Sequence, residues 1–264
     1  MTKIKDSIVW ITGASSGIGE ALAIELSENG AKVILSARRE EELEKVRSQC
    51  KGTGHMILPL DVTNVETLQP AFDKVLNEYG SLDILINNAG VTQRSLAAET
   101  DLSATRKIME VNFFSAVALT RIVLPYFIER NAGHIVATSS VTGKYGTPYR
   151  STYAASKHAL HGYFDSLRAE NSKHGINVTL VCPGFIKTPI TLKAVTADGS
   201  PLGTLEPGNL HGIPADKCAR KIVRSLKKNK REVYIAGLKE SSGLVLKRLW
   251  PGMMAKVLEK IDVT

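Results

Sequence analysis

Apolar positions along the chain follow two rhythms. Short β-branched runs at 8–12, 32–36, 55–60, 84–87, 134–139, 177–181 and 233–236 are nearly continuous in hydrophobicity, as strands buried on both faces require. Between them, the stretches 17–28, 40–50, 65–79, 103–130, 152–173 and 215–228 repeat apolar residues every three or four positions, the spacing of a helix with one buried face. Asn29-Gly30, Tyr79-Gly80 and His174-Gly175 close helices with residues that tolerate left-handed backbone. This alternation predicts an α/β fold: one Rossmann-type, doubly wound parallel sheet of about seven strands, with helices on both faces. Residues 1–237 read as a single domain, because no long polar linker divides them. Residues 184–213 break the rhythm with Pro189, Gly199, Pro201, Gly203, Pro207, Gly208 and Gly212. An irregular insert of that length in a compact fold is a lid or binding loop for substrate.

Composition narrows the class. With 264 residues, 43% hydrophobic and 23% charged, the chain is long and apolar enough for a sizeable core, which excludes disordered, collagenous and coiled-coil architectures. The most apolar stretch, 111–128, is interrupted by Asn112, Ser115, Thr120 and Arg121 and reads as a buried helix. The polar start and the three widely spaced cysteines (Cys50, Cys182, Cys218) predict a cytoplasmic protein without a disulfide framework. The net charge of +8 raises the question of a polyanion partner. Its distribution answers it: acidic and basic residues balance over 1–213, and the excess lies in 214–264. A basic tail on a neutral body, with no zinc-finger spacing and no aromatic-basic signature, predicts no nucleic-acid partner.

Candidate chemistry begins after the first strand, at Thr12-Gly13-Ala14-Ser15-Ser16-Gly17-Ile18-Gly19. Gly13 permits the tight turn, Gly17 lets backbone approach a pyrophosphate, and Gly19 allows close helix–strand packing. The helix N-terminus that follows presents free N–H groups to phosphate. The second strand decides which dinucleotide. An acidic residue at its end would bind the 2′-hydroxyl of NAD, but here the chain reads Ala37-Arg38-Arg39. Two guanidiniums suit a 2′-phosphate, which predicts NADP(H), with NAD(H) as second choice.

Further along, Tyr153-Ala154-Ala155-Ser156-Lys157 sets a phenol and an ammonium on one helix face. A phenol titrates near 10 in water, and a nearby cation brings it towards neutral pH, where it can exchange protons. Ser140 stands 13 residues upstream at the end of the fifth strand, the edge where open α/β sheets bind ligands.

With these pieces in order, and with Asn87-Asn88-Ala89-Gly90, Asn112 and Pro183-Gly184-Phe185-Ile186-Lys187-Thr188, residues 5–236 resemble the short-chain dehydrogenase/reductase superfamily. The resemblance implies a tetrad. Tyr153 is the proton donor in reduction and the base in oxidation, and Ser140 binds the substrate oxygen. Lys157 holds the nicotinamide ribose and lowers the tyrosine pKa, and Asn112 holds a relay water. It implies further cofactor contacts from Ser15, Ser16, Ile18, Asp61, Val62, Asn88, Gly90, Ile186 and Thr188, with Asp61 and Val62 at the adenine. Many NADP-using relatives carry a basic residue where this chain has Ser16, so the cofactor preference rests on Arg38 and Arg39. Finer stretches, among them Thr92-Gln93-Arg94-Ser95-Leu96 and Ala155-Ser156-Lys157-His158-Ala159-Leu160, look like the membrane-associated retinal and steroid carbonyl reductases and their bacterial relatives. That likeness implies an apolar carbonyl or alcohol substrate. It also implies a homodimer or homotetramer formed through the helices after strands four and five.

Other features carry less. His158 and His161 stand three apart, with no third ligand near in sequence, so no metal site is expected. Cys182 reads as a small buried residue, and Tyr145 and Tyr149 either shape the pocket or pack against it. In the extension 238–264, Leu246, Leu249, Trp250, Met253, Met254, Val257, Leu258 and Ile261 form an apolar stripe flanked by Lys247, Arg248, Lys256 and Lys260. It packs on its own domain or a sister subunit, or it lies on an anionic membrane surface. Two rival functions stay open: an NAD-linked alcohol or polyol dehydrogenase, and a non-catalytic dinucleotide-binding scaffold.

Overall fold

The computed structural model describes residues 1–260. Its centre is a seven-stranded sheet in which every neighbouring pair is parallel. The strands are β1 (Ile8–Thr12), β2 (Lys32–Ser36), β3 (Met56–Ile57), β4 (Ile84–Asn87), β5 (Gly133–Thr138) and β6 (Ile176–Pro183), completed by a last strand at Glu232–Ile235. Their spatial order is β3-β2-β1-β4-β5-β6 and then that last strand. The order reverses between β1 and β4, which opens a crevice above their C-terminal ends. A second small sheet, which the hydrophobic rhythm does not announce, pairs β7 (Ile186–Lys187) with β8 (Ile213–Pro214) and closes the ends of the 184–213 segment on each other. The last strand of the main sheet is therefore β9.

Continuous hydrophobicity in the strands reflects burial on both faces, as in β1, whose five residues are all buried. Val9 and Ile11 point into a core capped by α1 (Gly17–Glu28), α2 (Glu40–Arg47) and α8 (Ala215–Lys227). Ile8 and Trp10 point the other way, towards α3 (Leu68–Tyr79), α5 (Ser115–Arg130) and α6 (Ser151–Glu170). Trp10 is fully buried, and its indole N–H donates to Ser36 Oγ at 2.8 Å, which satisfies its one polar atom.

Two predicted elements differ from the structure in instructive ways. The strand expected at 55–60 is reduced to Met56–Ile57, although Leu58 N and Leu60 N still bond to Leu35 O and Ala37 O at 2.9 and 3.0 Å. Edge position explains the loss, since only β2 flanks this strand. The single helix expected at 103–130 is α4 (Leu102–Met109) and α5 joined by a π-helical segment, Glu110–Phe114. This stretch of 29 residues is apolar enough to cross a membrane by length and composition. In the fold its residues Ala116, Leu119, Val123 and Phe127 pack in the core. The bounds expected at 8–12, 17–28, 32–36 and 84–87 coincide with the structure, and the remaining ones shift by at most three residues, the usual scatter at helix and strand ends.

The extension forms α9 (Leu238–Leu249) and α10 (Pro251–Leu258), with α7 (Pro207–Leu210) preceding them in the 184–213 segment. Its inward residues Leu244, Leu246, Met254 and Leu258 pack on Val141 and Tyr145 of the domain. Leu249, Trp250 and Met253 are more than half exposed on the opposite side. Ile261, the last residue of the expected stripe, lies outside the described residues.

Candidate active site

One cleft of about 1400 Å³ runs along the C-terminal ends of the strands, across the point where the sheet order reverses. Its floor at one end is the glycine-rich turn. Gly13 has φ +66°, and a Cβ there would stand 2.8 Å from Ala89 Cα. A Cβ on Gly19 would stand 2.2 Å from Gly13 O, so α1 can lie this close to β1 only without a side chain. The Ser16 hydroxyl caps none of the first-turn N–H groups of α1; Gly17 N donates instead to Glu20 Oε2 at 3.2 Å, and Ser16, Gly17 and Ile18 line the cleft.

Asn88 binds three strands together. Its N–H donates to Thr12 Oγ1 at 3.0 Å, its amide to Thr12 O at 3.1 Å, and its Oδ1 accepts from Thr138 Oγ1 at 3.2 Å. It lines the cleft as well, so it both shapes the crevice and faces a ligand.

At the rim, β2 ends in Ala37, Arg38 and Arg39, all lining the cleft. Asp61 and Val62 line the cleft beside them, next to Leu60, whose N–H donates to Ala37 O at 3.0 Å. Partial burial works against the Asp61 carboxylate. Hydrogen bonds from Thr63 N and Oγ1 (3.0 and 2.8 Å), with Arg38 nearby, nevertheless hold it below its usual range. Lys193, in the 184–213 segment, joins the arginines from above. Desolvation and then the charges of Arg39 and Arg38 push its ammonium down. Three cations thus share one edge of the cleft, an arrangement suited to a phosphate dianion.

The reactive end is built by β5, the turn after it and α6. Ser140 caps a short 3₁₀ turn, Val141–Gly143. Its Oγ accepts from Thr142 Oγ1 at 2.9 Å and donates to Pro183 O at 3.2 Å. Tyr153 lies on the first turn of α6, with Lys157 one turn later and its Nζ 5.8 Å from the phenol ring centroid. Lys157 Nζ donates to Thr138 O at 2.7 Å, and burial pushes its pKa down to about 8. Burial also pushes the Tyr153 phenol up, against hydroxyl contacts from Ser140 and Thr142 and the charges of Arg150 and Arg94. A phenol, an ammonium and a hydroxyl directed at one point can exchange a proton with an oxygen placed there and stabilise charge on it.

Of the residues singled out in the sequence, Gly13, Ser15, Ser16, Gly17, Ile18, Arg38, Arg39, Asp61, Val62, Asn88, Gly90, Ser140, Tyr153, Lys157, Ile186 and Thr188 all line this cleft. Gly19 and Asn112 stand just behind the wall. Asn112 is 1% exposed and sits within the π-helical segment. Its Oδ1 accepts from Val91 N at 2.8 Å, and its Nδ2 donates to Val91 O and Ser156 Oγ at 2.9 Å each. The side chain therefore fastens the β4 loop to the helix that carries Tyr153. Of the two tyrosines left open, Tyr145 lines the cleft, while Tyr149 is 38% exposed and is not among the lining residues.

Several contributors take no role from the sequence, although Gln93 and Arg94 stand in the stretch Thr92–Leu96 that carries the finer resemblance. Gln93 is fully buried, and its Oε1 accepts from Thr152 N and Tyr153 N at 2.8 and 3.1 Å, capping the first turn of α6 from outside. Arg94, Arg150 and Glu206 form a buried charged group in the same wall. Sequence spacing cannot reveal either, because the partners lie 56 to 112 residues apart.

Behind α6, His161, Cys182 and Glu232 lie close enough to be weighed as a metal site. Their groups are already engaged with one another. His161 Nε2 meets Ser139 Oγ at 3.0 Å, and Glu232 pairs with Lys144 at 2.8 Å. Burial pushes the Cys182 thiol well up. Cys182 Sγ lies 3.7 Å from His161 Nε2 and 3.6 Å from Glu232 Oε1, and His161 Nδ1, 3.4 Å from Glu232 Oε1, is buried without a hydrogen bond.

Comparison with known proteins agrees with this geometry. The short chain dehydrogenase family model matches residues 7–198. Dehydrogenase/reductase SDR family member 7 of Homo sapiens is 39% identical over 258 residues, covering 95% of this chain and 75% of that protein. Dehydrogenase/reductase SDR family member 7B of Danio rerio is 37% identical over 263 residues, covering 97% and 85%. A crystal structure of a short chain dehydrogenase from Burkholderia cenocepacia in complex with NADP superposes with a TM-score of 0.81 at 26% identity, covering 97% of this chain and 98% of that one. With its parallel sheet, glycine-rich turn and Ser140–Tyr153–Lys157 cluster in one cleft, this chain belongs to the short-chain dehydrogenase/reductase family of oxidoreductases.

Proposed function

We propose that this chain is an NADP(H)-dependent oxidoreductase that moves a hydride between nicotinamide and the carbonyl or secondary alcohol carbon of an apolar small molecule. The observation that carries this reading is the single cleft, which joins a cationic rim and a glycine-rich phosphate cradle to the Tyr153 phenol. When bound, the nicotinamide supplies or accepts the hydride. The protein supplies orientation and proton chemistry.

In reduction the Tyr153 hydroxyl donates its proton to the oxygen that gains charge, and in oxidation the phenolate takes a proton back. Ser140 orients that oxygen. Lys157 would hold the ribose hydroxyls and favours the phenolate, and Asn112 would hold a water of the proton relay. Gly13, Ser15, Ser16, Gly17, Ile18, Gly19 and Gly90 form the cradle, with Asn88 in its wall. Asp61 and Val62 would border the adenine, and Ile186 and Thr188 the carboxamide.

Arg38 and Arg39, joined by Lys193, support NADP(H) over NAD(H) through attraction to the 2′-phosphate. NAD(H) is the second reading, favoured by Asp61, whose carboxylate offsets part of the Arg38 charge. Apolar residues of the tail, among them Leu246, Met254 and Leu258, line the cleft together with Leu192 of the 184–213 segment and support an apolar substrate. The 184–213 segment then serves as the substrate lid, and the exposed side of α9 and α10, with Lys247, Arg248 and Lys256, as a peripheral contact to an anionic membrane surface of a cytoplasmic homo-oligomer.

The test is NADPH consumption against a panel of small ketones, sugars, retinal and steroid ketones. Turnover on one chemical group is expected, with Tyr153→Phe lowering it at least a hundredfold while NADPH affinity stays within about twofold. Full activity in that variant refutes the mechanism.

A further inference from the structure

The substrate half of the cleft contains a charged group that proton transfer by Tyr153 and Lys157 leaves unexplained. Arg94 and Arg150 have side chains only 7% exposed, and Glu206, reaching down from the 184–213 segment, is 12% exposed. Arg94 presents Nε and one terminal nitrogen to the two oxygens of Glu206, while Arg150 lies 3.5 Å from one of them. The Arg150 guanidinium also stacks 5.4 Å above the Phe185 ring centroid. Two cations share one carboxylate, so the group keeps one net positive charge in a buried wall.

Its position points at Tyr153. Arg150 immediately precedes α6, one turn before the tyrosine. Arg94 follows Gln93, whose side chain caps Thr152 N and Tyr153 N. A buried net charge is costly unless an anion answers it. In this wall, the group whose chemistry creates an anion is the Tyr153 phenol.

We propose that Arg150 and Arg94 impose a fixed cationic field on Tyr153 that favours its phenolate, with Glu206 of the 184–213 segment setting the strength of that field. The proposal rests on Tyr153 as the acid/base group and adds a second, separate source of its activation. Both guanidiniums oppose the upward push that burial exerts on the phenol. Lys157, with a pKa of about 8, loses its charge within the working pH range, whereas a guanidinium does not. The remaining groups that face the phenol are the hydroxyls of Ser140 and Thr142. The cleft is also lined by Lys239, by Tyr145, whose hydroxyl donates to Glu240 O at 3.5 Å and on which the Arg150 charge also acts, and by Glu240, whose carboxylate accepts from Phe185 N at 3.0 Å.

Ionisation of Tyr153 is read from tyrosinate absorbance as the difference between each protein and its Tyr153→Phe counterpart, without cofactor or substrate. Arg150→Met removes the excess charge and moves the titration midpoint up by about one pH unit. Arg150→Lys restores most of the shift. Glu206→Gln frees a second charge and moves the midpoint down. Purely structural residues would shift all three variants one way or not at all. A midpoint that moves up in Glu206→Gln, or stays in place in a folded Arg150→Met, overturns the proposal. If Arg150→Met fails to fold, the sign of the Glu206→Gln shift decides alone. Because the titration requires no turnover, its outcome is separate from that of the carbonyl panel.

Discussion

Gln93 offers the sharpest check of how the site is held. It is fully buried, and its carbonyl oxygen satisfies Thr152 N and Tyr153 N, two of the donors that open the helix of Tyr153. Its amide donates to Ser95 Oγ and Thr100 Oγ1 at 3.1 Å each. Gln93→Leu preserves approximate volume and removes all of these partners. Each buried donor left unmade costs about 1–3 kcal/mol; water reaching half-buried Tyr153 keeps the pair near the low end, so a loss of about 2–4 kcal/mol is expected. For a domain of this size that corresponds to a drop in Tm of about 4–8 °C. Urea unfolding of parent and variant, followed by circular dichroism, measures it. Gln93→Glu keeps an acceptor at the helix N-terminus, where the dipole favours negative charge, and its neighbours are hydroxyls that can turn to donate. It recovers at least half of the loss. A leucine variant within about 0.5 kcal/mol of the parent, or a glutamate variant no better than leucine, refutes the capping role.

Three further outcomes are expected. Arg38→Asp replaces attraction to a 2′-phosphate by repulsion and weakens NADPH by about 10- to 100-fold more than NADH in fluorescence titrations; equal losses remove the basis for NADP selectivity. His134 is buried between Thr2 Oγ1 and Thr179 Oγ1 at 2.8 Å each, and burial pushes its pKa down to about 4. The unfolded chain binds that proton below about 6.5. Stability conferred by the neutral ring is therefore complete above pH 6.5 and falls by about 3 kcal/mol as pH drops to 4, a slope that His134→Gln flattens in urea melts at successive pH values. On the tail, Leu249→Glu with Trp250→Glu and Met253→Glu abolishes retention on phosphatidylserine vesicles while thermal stability and NADPH binding persist; undiminished retention sinks the membrane-surface reading.

Much of this molecule was legible in one dimension because its determinants are local. Strand burial on both faces demands continuous hydrophobic runs, and a turn that brings Gly13 O within 2.2 Å of where a Gly19 Cβ would sit demands glycine at position 19. Tyr153 and Lys157 declare themselves through helical spacing, and Arg38 and Arg39 through their place at the end of β2. These features belong to single elements, whose backbone geometry sets the residue types they accept.

What only the tertiary structure decided is how distant segments complete the site. Lys193 joins Arg38 and Arg39 only because the 184–213 segment folds back over the rim, held by the pairing of Ile186 with Ile213. Asn112 reads in sequence as a ligand for water. In the fold its side chain is spent on Val91 and Ser156, because a π-helical turn points it into the body of the domain. Arg150 and Glu206 are unremarkable polar residues along the chain, and Gln93 and Arg94 belong to a stretch whose likeness gives them no role. They become a helix cap and a buried charged group through contacts spanning 56 to 112 residues. Periodicity records which face of an element is buried, whereas polar satisfaction in a core depends on which elements meet. The sheet order at the β1–β4 crevice, and nothing along the chain, settles that.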